Sequence, residues 1–173
     1  STCSFTVEVK DVTNPTITCG VSGTQNVNTS SGSCTYTHTG TGWNPSATSD
    51  NCSVASTTAV LTGATTATGL TSLNGVIFNQ GTTNVTWTVK DGSNNQNTCS
   101  FNVSVTDNVL PAITTCPATQ TVTVATNCQA TIPNYATLAA TPSTDNCTSG
   151  GSLVFSQSPA AGSYASYGTN SVT

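Results

Sequence analysis

Hydrophobic and polar residues alternate along several short segments of the chain. In "TNVTWTVKD" (83–91) valines and a tryptophan alternate with polar residues, and "CSFNVSV" (99–105) continues the pattern. The segments "TVTVAT" (121–126) and "CQATIP" (128–133) behave in the same way. A period of two is typical of a β-strand with one buried face. Because no segment has a convincing helical period, the pattern predicts an all-β fold of the sandwich type.

The segment "DGSNNQN" (91–97) joins two of these predicted strands. Gly and Asn tolerate a positive φ, and Asp and Asn form turns, so the segment predicts a β-hairpin. We expect no cofactor. Calcium is the alternative to a purely structural role for the carboxylates, either at Asp91 in this turn or at Asp107 in a junction between domains.

The chain contains an internal repeat. Three pairs of segments match at offsets of 96, 95 and 87 residues: "TCSFTVEVKD" (2–11) with "TCSFNVSVTD" (98–107), "SDNCS" (49–53) with "TDNCT" (144–148), and "QGTTNVT" (80–86) with "YGTNSVT" (167–173). A period of this length corresponds to a whole domain rather than to one turn of a solenoid.

The repeat predicts three parts of the chain. Residues 1–11 are the closing strand of a preceding repeat, 12–107 form a complete β-sandwich, and 108–173 form a second β-sandwich that lacks its last strands. The turns at Pro15 and Pro111 mark the boundaries.

Composition limits the possible functions. Only 5% of the residues are charged, the net charge is −4, and the chain has 8 cysteines, none of them in a C-x-x-C pair. The absence of a basic patch argues against nucleic-acid binding, and no apolar run is long enough to span a membrane. Eight cysteines without metal-ligand spacing indicate disulfides, and therefore an extracellular or cell-surface location.

The segment "GTTNVTWTVKDGSNNQNTCSFNVSVTD" (81–107) resembles the closing half of a hyalin repeat (HYR) domain. The "DNC" motif and the "P-x-I-T-C" opening resemble bacterial members of that family, and both copies of the repeat show the resemblance. It implies tandem immunoglobulin-like β-sandwiches in an extracellular, adhesive or cell-surface protein. It implies no catalytic residues, and we expect that the protein is not an enzyme.

The four cysteines of each unit allow three pairings, and the sequence alone does not choose among them. Cys99 shares the inward face of its strand with Phe101, so we expect its partner in the opposite sheet. The predicted disulfides are Cys52–Cys99, Cys19–Cys34 and Cys116–Cys128. We expect Cys3 and Cys147 to find partners beyond this chain's two units or in a neighbouring subunit.

Some other side chains are candidates for modification or binding. Among the N-x-[ST] sequons, Asn28, Asn84 and Asn102 are the possible glycosylation sites. Trp43 lies in a loop-like setting and is a candidate platform for a glycan, whereas Trp87 is predicted to lie in the core. His38 has no partner at metal-ligand spacing and is expected to be a packed side chain.

These features favour a structural protein that forms a fibre or an adhesive stalk on a microbial surface. Its partners would be copies of itself or further repeats of the same chain, arranged head to tail. The repeats could continue along one longer chain, or residues 1–11 could be donated as a strand to a neighbouring molecule. The competing hypothesis is an accessory ligand-binding or glycan-binding module of a secreted protein.

Overall fold

The computed structural model describes residues 1–124, 126–140, 143–149 and 152–173. The chain forms two compact units, residues 1–108 and 109–173. Strands are the main regular structure of unit 1, as the alternating pattern predicts, whereas most described residues of unit 2 lie in turns and irregular segments. Among these residues no helix is long and apolar enough to cross a membrane.

Unit 1 is built entirely from strands and their connections. Its strands are β1 (Thr16–Thr18), β2 (Thr24–Asn28), β3 (Thr35–Thr37), β4 (Ala47–Ser49), β5 (Val54–Gly63), β6 (Ala67–Leu70), β7 (Ile77–Asn79), β8 (Gly81–Asp91) and β9 (Gln96–Thr106). The described part of unit 2 contains β10 (Ala112–Ile113), β11 (Gln129–Thr131), β12 (Ser143–Thr144), β13 (Tyr164–Ser166) and one short helix, α1 (Ala136–Ala140).

Five strands of unit 1 form one sheet in the order β2-β9-β8-β5-β6. β8 and β9 are its longest strands, at 11 residues each, and they pair antiparallel across the predicted hairpin. Asn94 in the hairpin has a φ of +70°, a conformation that asparagine tolerates better than most residues. β2 lies at the sheet edge, and β9, to which it runs parallel, is its only neighbour.

The core of unit 1 lies on one face of this sheet. Val85, Trp87, Phe101 and Val103 point inward from β8 and β9, in agreement with the period of two in the sequence. β3 pairs with β7 and β1 pairs with β4, and side chains from these ladders and their loops cover the face. The covering side chains that pack in or against the core include Ile17, Tyr36, Trp43, Leu73 and Phe78.

Unit 2 has two short ladders, in which β10 pairs with β12 and β11 pairs with β13. β11 lies within the predicted strand 128–133. The prediction of a strand at 121–126 is wrong for residues 121–124, which form no strand; residue 125 lies outside the described residues. Alternation specifies which face would be buried, but a strand also requires a hydrogen-bonded neighbour, which these residues lack in the described part of the unit.

Candidate functional site

Three carboxylates of unit 1 converge at the hairpin end of the sheet. Asp11 follows the exposed segment 1–10, Asp50 follows β4, and Asp91 ends β8. One carboxylate oxygen from each of them lies within 4.8 Å of the others. We refer to Asp11, Asp50 and Asp91 as the carboxylate cluster.

Hydrogen bonds from two turns hold the carboxylate cluster in place. Asp91 Oδ1 accepts the backbone N–H of Asn95 at 2.8 Å, which closes the hairpin. The side-chain amide of Asn95 donates both to Asp91 Oδ2 at 2.7 Å and to the Asp11 carbonyl at 3.2 Å. On the other side, Asn51 Nδ2 donates to Asp11 Oδ1 at 3.3 Å. The hairpin and the "DNC" turn are therefore both tied to Asp11.

Two features of the carboxylate cluster suit a bound cation. The Asp91 side chain is only 3% exposed, and no ion pair with a cationic side chain of the described residues compensates its charge. Asp50 Oδ1 is buried and has no hydrogen-bond donor. Burying a carboxylate without a countercharge is costly even where its oxygens accept hydrogen bonds, and carboxylate oxygens are the ligands that calcium prefers. Asp11, Asp50 and Asp91 are thus the residues that could hold such an ion.

The carboxylate cluster contains one of the two residues named as calcium candidates. Asp91 belongs to it, but Asp107 does not; Asp107 Oδ1 instead accepts a hydrogen bond from Thr29 Oγ1 at 3.3 Å. Sequence reasoning missed Asp11 and Asp50, since the calcium expectation named only Asp91 and Asp107. The internal repeat could have drawn attention to these two positions, because Asp11 recurs as Asp107 and Asp50 recurs as Asp145.

Cys52 is an exposed free thiol beside the carboxylate cluster. Its hydrogen bond to Asp11 raises the pKa of the thiol, and the negative charges of Asp11, Asp50 and Asp91 raise it further. The backbone N–H of Thr13 lowers the pKa of Asp11, because it donates to the ionised carboxylate at 3.0 Å. Since the thiolate is the reactive form of cysteine, Cys52 is held in its unreactive state.

A disulfide in unit 1 joins Cys19 to Cys99, with a Cα–Cα distance of 5.8 Å. The predicted pairs Cys52–Cys99 and Cys19–Cys34 are therefore wrong. Cys99 does pack against the core, as its strand position implied, and Cys19 packs beside it.

The position of each strand explains these errors. Cys99 lies opposite Trp87, four residues along β8 from Asp91, which corresponds to about 13 Å from the end of the sheet where Cys52 lies. Cys34 is also a disulfide cysteine, but it precedes β3, which pairs with β7 and not with β1.

The predicted Cys116–Cys128 disulfide is also wrong, because both residues are exposed free thiols. Cys116 follows β10 and Cys128 precedes β11, and these two strands pair with different partners, β12 and β13. Cys147 is a disulfide cysteine in the structure. Cys3 remains an exposed free thiol.

The "DNC" turn of unit 1 recurs in unit 2 with the same geometry. Asp50 Oδ2 accepts the backbone N–H groups of Cys52 and Ser53 at 2.9 and 3.0 Å. Asp145 Oδ2 accepts those of Cys147 and Thr148 at 3.1 and 2.7 Å. The Thr148 N–H contributes most to lowering the pKa of Asp145. The sequence repeat is therefore also a repeat of local structure.

Trp43 does not form the exposed platform that its loop setting suggested. The side chain is 8% exposed, and its ring stacks on His38 with a centroid distance of 3.9 Å. The backbone carbonyl of Trp43 accepts the indole N–H of Trp87 at 3.2 Å. His38 is packed and Trp87 lies in the core, so both of these predictions are confirmed.

The three candidate glycosylation sites differ in accessibility. Asn28 is exposed at the end of β2. Asn84 and Asn102 lie opposite each other on β8 and β9, and Asn84 Nδ2 donates to Asn102 Oδ1 at 3.0 Å. A glycan on either partner would break this amide pair, so Asn28 is the most accessible of the three.

The fold and these sites define an all-β, disulfide-containing module. Residues 10–105 match the HYR domain family, so the chain belongs to that family. HYR domains are non-catalytic, adhesion-type modules of extracellular proteins. No protein among the curated sequences and no solved structure matches the chain significantly.

Proposed function

We propose that this chain is a structural segment of a fibre or adhesive stalk on a microbial surface. It would be built from tandem, immunoglobulin-like β-sandwiches of the bacterial HYR type, arranged head to tail. The observation that carries the proposal is the recurrence of the "DNC" turn in unit 2, beside a unit 1 that belongs to an adhesion-type family. Repetition of a non-catalytic module suits a mechanical role better than a chemical one.

The architecture of unit 1 supports such a role. The 11-residue strands β8 and β9 pair along their whole length, and the Cys19–Cys99 disulfide ties β9 to the segment after β1. A covalent bond between distant parts of the unit limits how far the chain can extend under load. Only two residues are Lys or Arg, which leaves few sites for trypsin-like proteases.

Surface labelling of the source organism tests this proposal. We expect an antibody against unit 1 to label intact cells, and deletion of the gene to remove surface fibres or reduce attachment. Extracellular protease should remove the label from intact cells. Label that appears only after the cells are permeabilised would overturn the proposal.

The alternative of an accessory glycan-binding module loses its main support in the structure. Trp43 was the candidate platform for stacking a sugar, and it is buried. The buried indole of Trp43 cannot present a face to a ligand without opening the core, and the backbone carbonyl of Trp43 already accepts the indole N–H of Trp87. The structural role is therefore the better supported of the two.

We further propose that the carboxylate cluster binds calcium. The support is the buried Asp91 without an ion pair and the buried Asp50 Oδ1 without a donor. Calorimetry in calcium and in chelator tests this. At a calcium concentration of 100 times Kd, binding adds about 2.7 kcal/mol to the free energy of unfolding. We expect a rise of several degrees in the Tm of unit 1.

Two matched variants test whether the carboxylate cluster is the calcium site. Asp11→Asn should abolish the calcium-dependent rise in Tm. Asp107→Asn should keep it, because Asp107 occupies the matching repeat position but lies outside the carboxylate cluster. Equal loss in both variants, or no rise in the unmodified chain, would contradict the proposal.

We also propose that the native protein is glycosylated, first of all at Asn28. With only 5% charged residues, the surface depends on hydroxyls, amides and sugars for hydration. The intact mass of the protein from its native source should exceed the sequence mass, and Asn28→Gln should reduce the excess. A native mass equal to that of the bare sequence would refute the proposal.

A further inference from the structure

His38 is the only histidine of the chain, and it is buried against an aromatic ring. It lies directly after β3 and is 5% exposed. Its imidazole stacks on the indole of Trp43, with ring centroids 3.9 Å apart and an interplanar angle of 6°. Neither ring nitrogen has a hydrogen-bond partner. The imidazole is therefore held by stacking and by exclusion from water rather than by a polar partner.

The elements packed against His38 carry no charge that could compensate a proton on its ring. Tyr36 of β3 is a titratable neighbour, with ring centroids 6.5 Å apart. Neither β7, which pairs with β3, nor the loop 39–46, which we call the Trp43 loop, contains a charged or titratable residue. Burial is the main cause that lowers the pKa of His38, and the Gly40 backbone opposes it only in part. A proton on the imidazole would create a buried positive charge without a countercharge.

The Trp43 loop connects β3 to β4 and contains no strand of its own. Side-chain hydrogen bonds anchor it to the loop that precedes β7. The backbone N–H of Gly40 donates to Asn74 Oδ1 at 2.8 Å, and Asn44 Oδ1 accepts the backbone N–H of Leu73 at 2.9 Å. Because such a loop has no ladder to break, it can open at a lower free-energy cost than a strand of the sheet.

The sheet under the Trp43 loop is held together by its own pairing. β8 and β9 pair antiparallel over 11 residues each, and the Cys19–Cys99 disulfide ties β9 to the segment after β1. One hydrogen bond joins the sheet to the loop, from the indole N–H of Trp87 to the backbone carbonyl of Trp43 at 3.2 Å. This bond breaks when the loop opens, so the Trp87 indole reports whether the loop is closed.

Protonation makes the stacked position unfavourable for the imidazole of His38. The imidazolium has two N–H donors, and both ring nitrogens are buried without an acceptor. The face of the Trp43 indole attracts a cation, but this attraction is smaller than the cost of leaving two charged donors buried and unpaired. The protonated ring is therefore more stable in water than in the stack.

We propose that His38 is a proton-sensitive latch on the Trp43 loop. When the imidazole binds a proton, the ring leaves its stack on Trp43 and the loop opens, while the sheet of unit 1 stays folded. An imidazole in water has a pKa of about 6.5. The ratio of open to closed loop should therefore grow below about pH 6.5, by at most about tenfold per pH unit. The latch does not depend on the proposed fibre or stalk, because the contacts that form it lie within unit 1.

Hydrogen exchange of the Trp87 indole, followed by NMR on the 173-residue chain, tests the latch. The chain has two tryptophans, and Trp43→Phe assigns their indole signals. After correction for the intrinsic exchange rate, the protection of the Trp87 indole N–H should fall by up to about 30-fold between pH 7 and pH 5. Exchange through local opening should not change in dilute urea. The amide of Val85, within the β8–β9 ladder, should instead exchange faster as urea is added.

Two variants separate the latch from the other contacts of the loop. His38→Ile removes the titratable ring, and Ile132, which is buried at the matching position of unit 2, shows that the repeat accepts this side chain. This variant should keep the Trp87 indole protected at pH 5. Asn74→Ala is the matched control, because it removes the acceptor for Gly40 and leaves the imidazole in place. It should speed indole exchange at pH 7 and keep the response to acid.

The ring-proton signals of His38 show in the unmodified chain at which pH the imidazole binds its proton, without any substitution. Three results would overturn the latch. One is a Trp87 indole N–H that keeps its protection at pH 5. Another is an indole N–H that exchanges with the same urea dependence as the Val85 amide at pH 5, because the opening would then be global. The third is an acid response that persists in His38→Ile.

Discussion

His38 is buried against Trp43, and neither ring nitrogen has a hydrogen-bond partner. Burial lowers the pKa of the imidazole from its usual 6.5, and the nearby Gly40 backbone opposes this effect. The folded protein therefore keeps His38 neutral at a pH where the unfolded chain already binds a proton. His38 corresponds to Ile132 of unit 2, which is also buried, so an apolar side chain suits this position of the repeat.

His38→Ile should make unit 1 less sensitive to acid. In the unmodified chain the free energy of unfolding falls as the pH drops below about 6.5, because the unfolded chain binds a proton that the buried His38 does not. The decrease is at most about 1.4 kcal/mol per pH unit. Urea unfolding at pH 7 and pH 5, followed by tryptophan fluorescence, measures the loss, because both tryptophans lie in unit 1. The variant should lose less stability between these pH values. An equal loss in both proteins would contradict this account.

At the scale of the strand, alternation identified β8 and β9 and the faces that they bury. Their pairing is local, because the predicted hairpin brings them together. The same kind of alternation failed at 121–124, because β2, their counterpart, pairs only with β9, 78 residues further along the chain. Cysteine pairing and the carboxylate cluster also depend on distant segments. The residue pattern of a single strand does not show which distant segment lies beside it, although the repeat aligned the cysteines and aspartates of the two units.

The loop that carries Trp43 approaches the end of β1 so closely that it requires glycine at position 20. A Cβ added to Gly20 would collide with the carbonyl oxygens of Asn44 and Gly42. Gly20→Ala should shift the loop, weaken the Trp87–Trp43 hydrogen bond and cost about 1–3 kcal/mol. Gly42→Ala is the control, because nothing lies within 4 Å of its added Cβ, and it should change stability by less than about 0.5 kcal/mol. Equal effects in urea unfolding would count against this packing.

At the scale of the whole molecule, the stability of unit 1 should depend on the Cys19–Cys99 disulfide and not on Cys52. The bond closes a loop with a sequence separation of 80 residues, for which chain entropy predicts a contribution of about 4.5 kcal/mol. Removing both sulfurs in Cys19→Ala with Cys99→Ala should lower the free energy of unfolding by an amount of this order. Tryptophan fluorescence separates this effect from the unfolding of unit 2, which contains no tryptophan.

Cys52→Ala is the control for this prediction, because Cys52 is an exposed free thiol that takes no part in the Cys19–Cys99 bond. It should leave the unfolding free energy within about 0.5 kcal/mol of the unmodified chain. Reducing agent should destabilise unit 1 of the unmodified chain more than unit 1 of the Cys19→Ala, Cys99→Ala variant, which has already lost this bond. A large loss in Cys52→Ala would contradict the Cys19–Cys99 pairing and favour a Cys52–Cys99 bond instead.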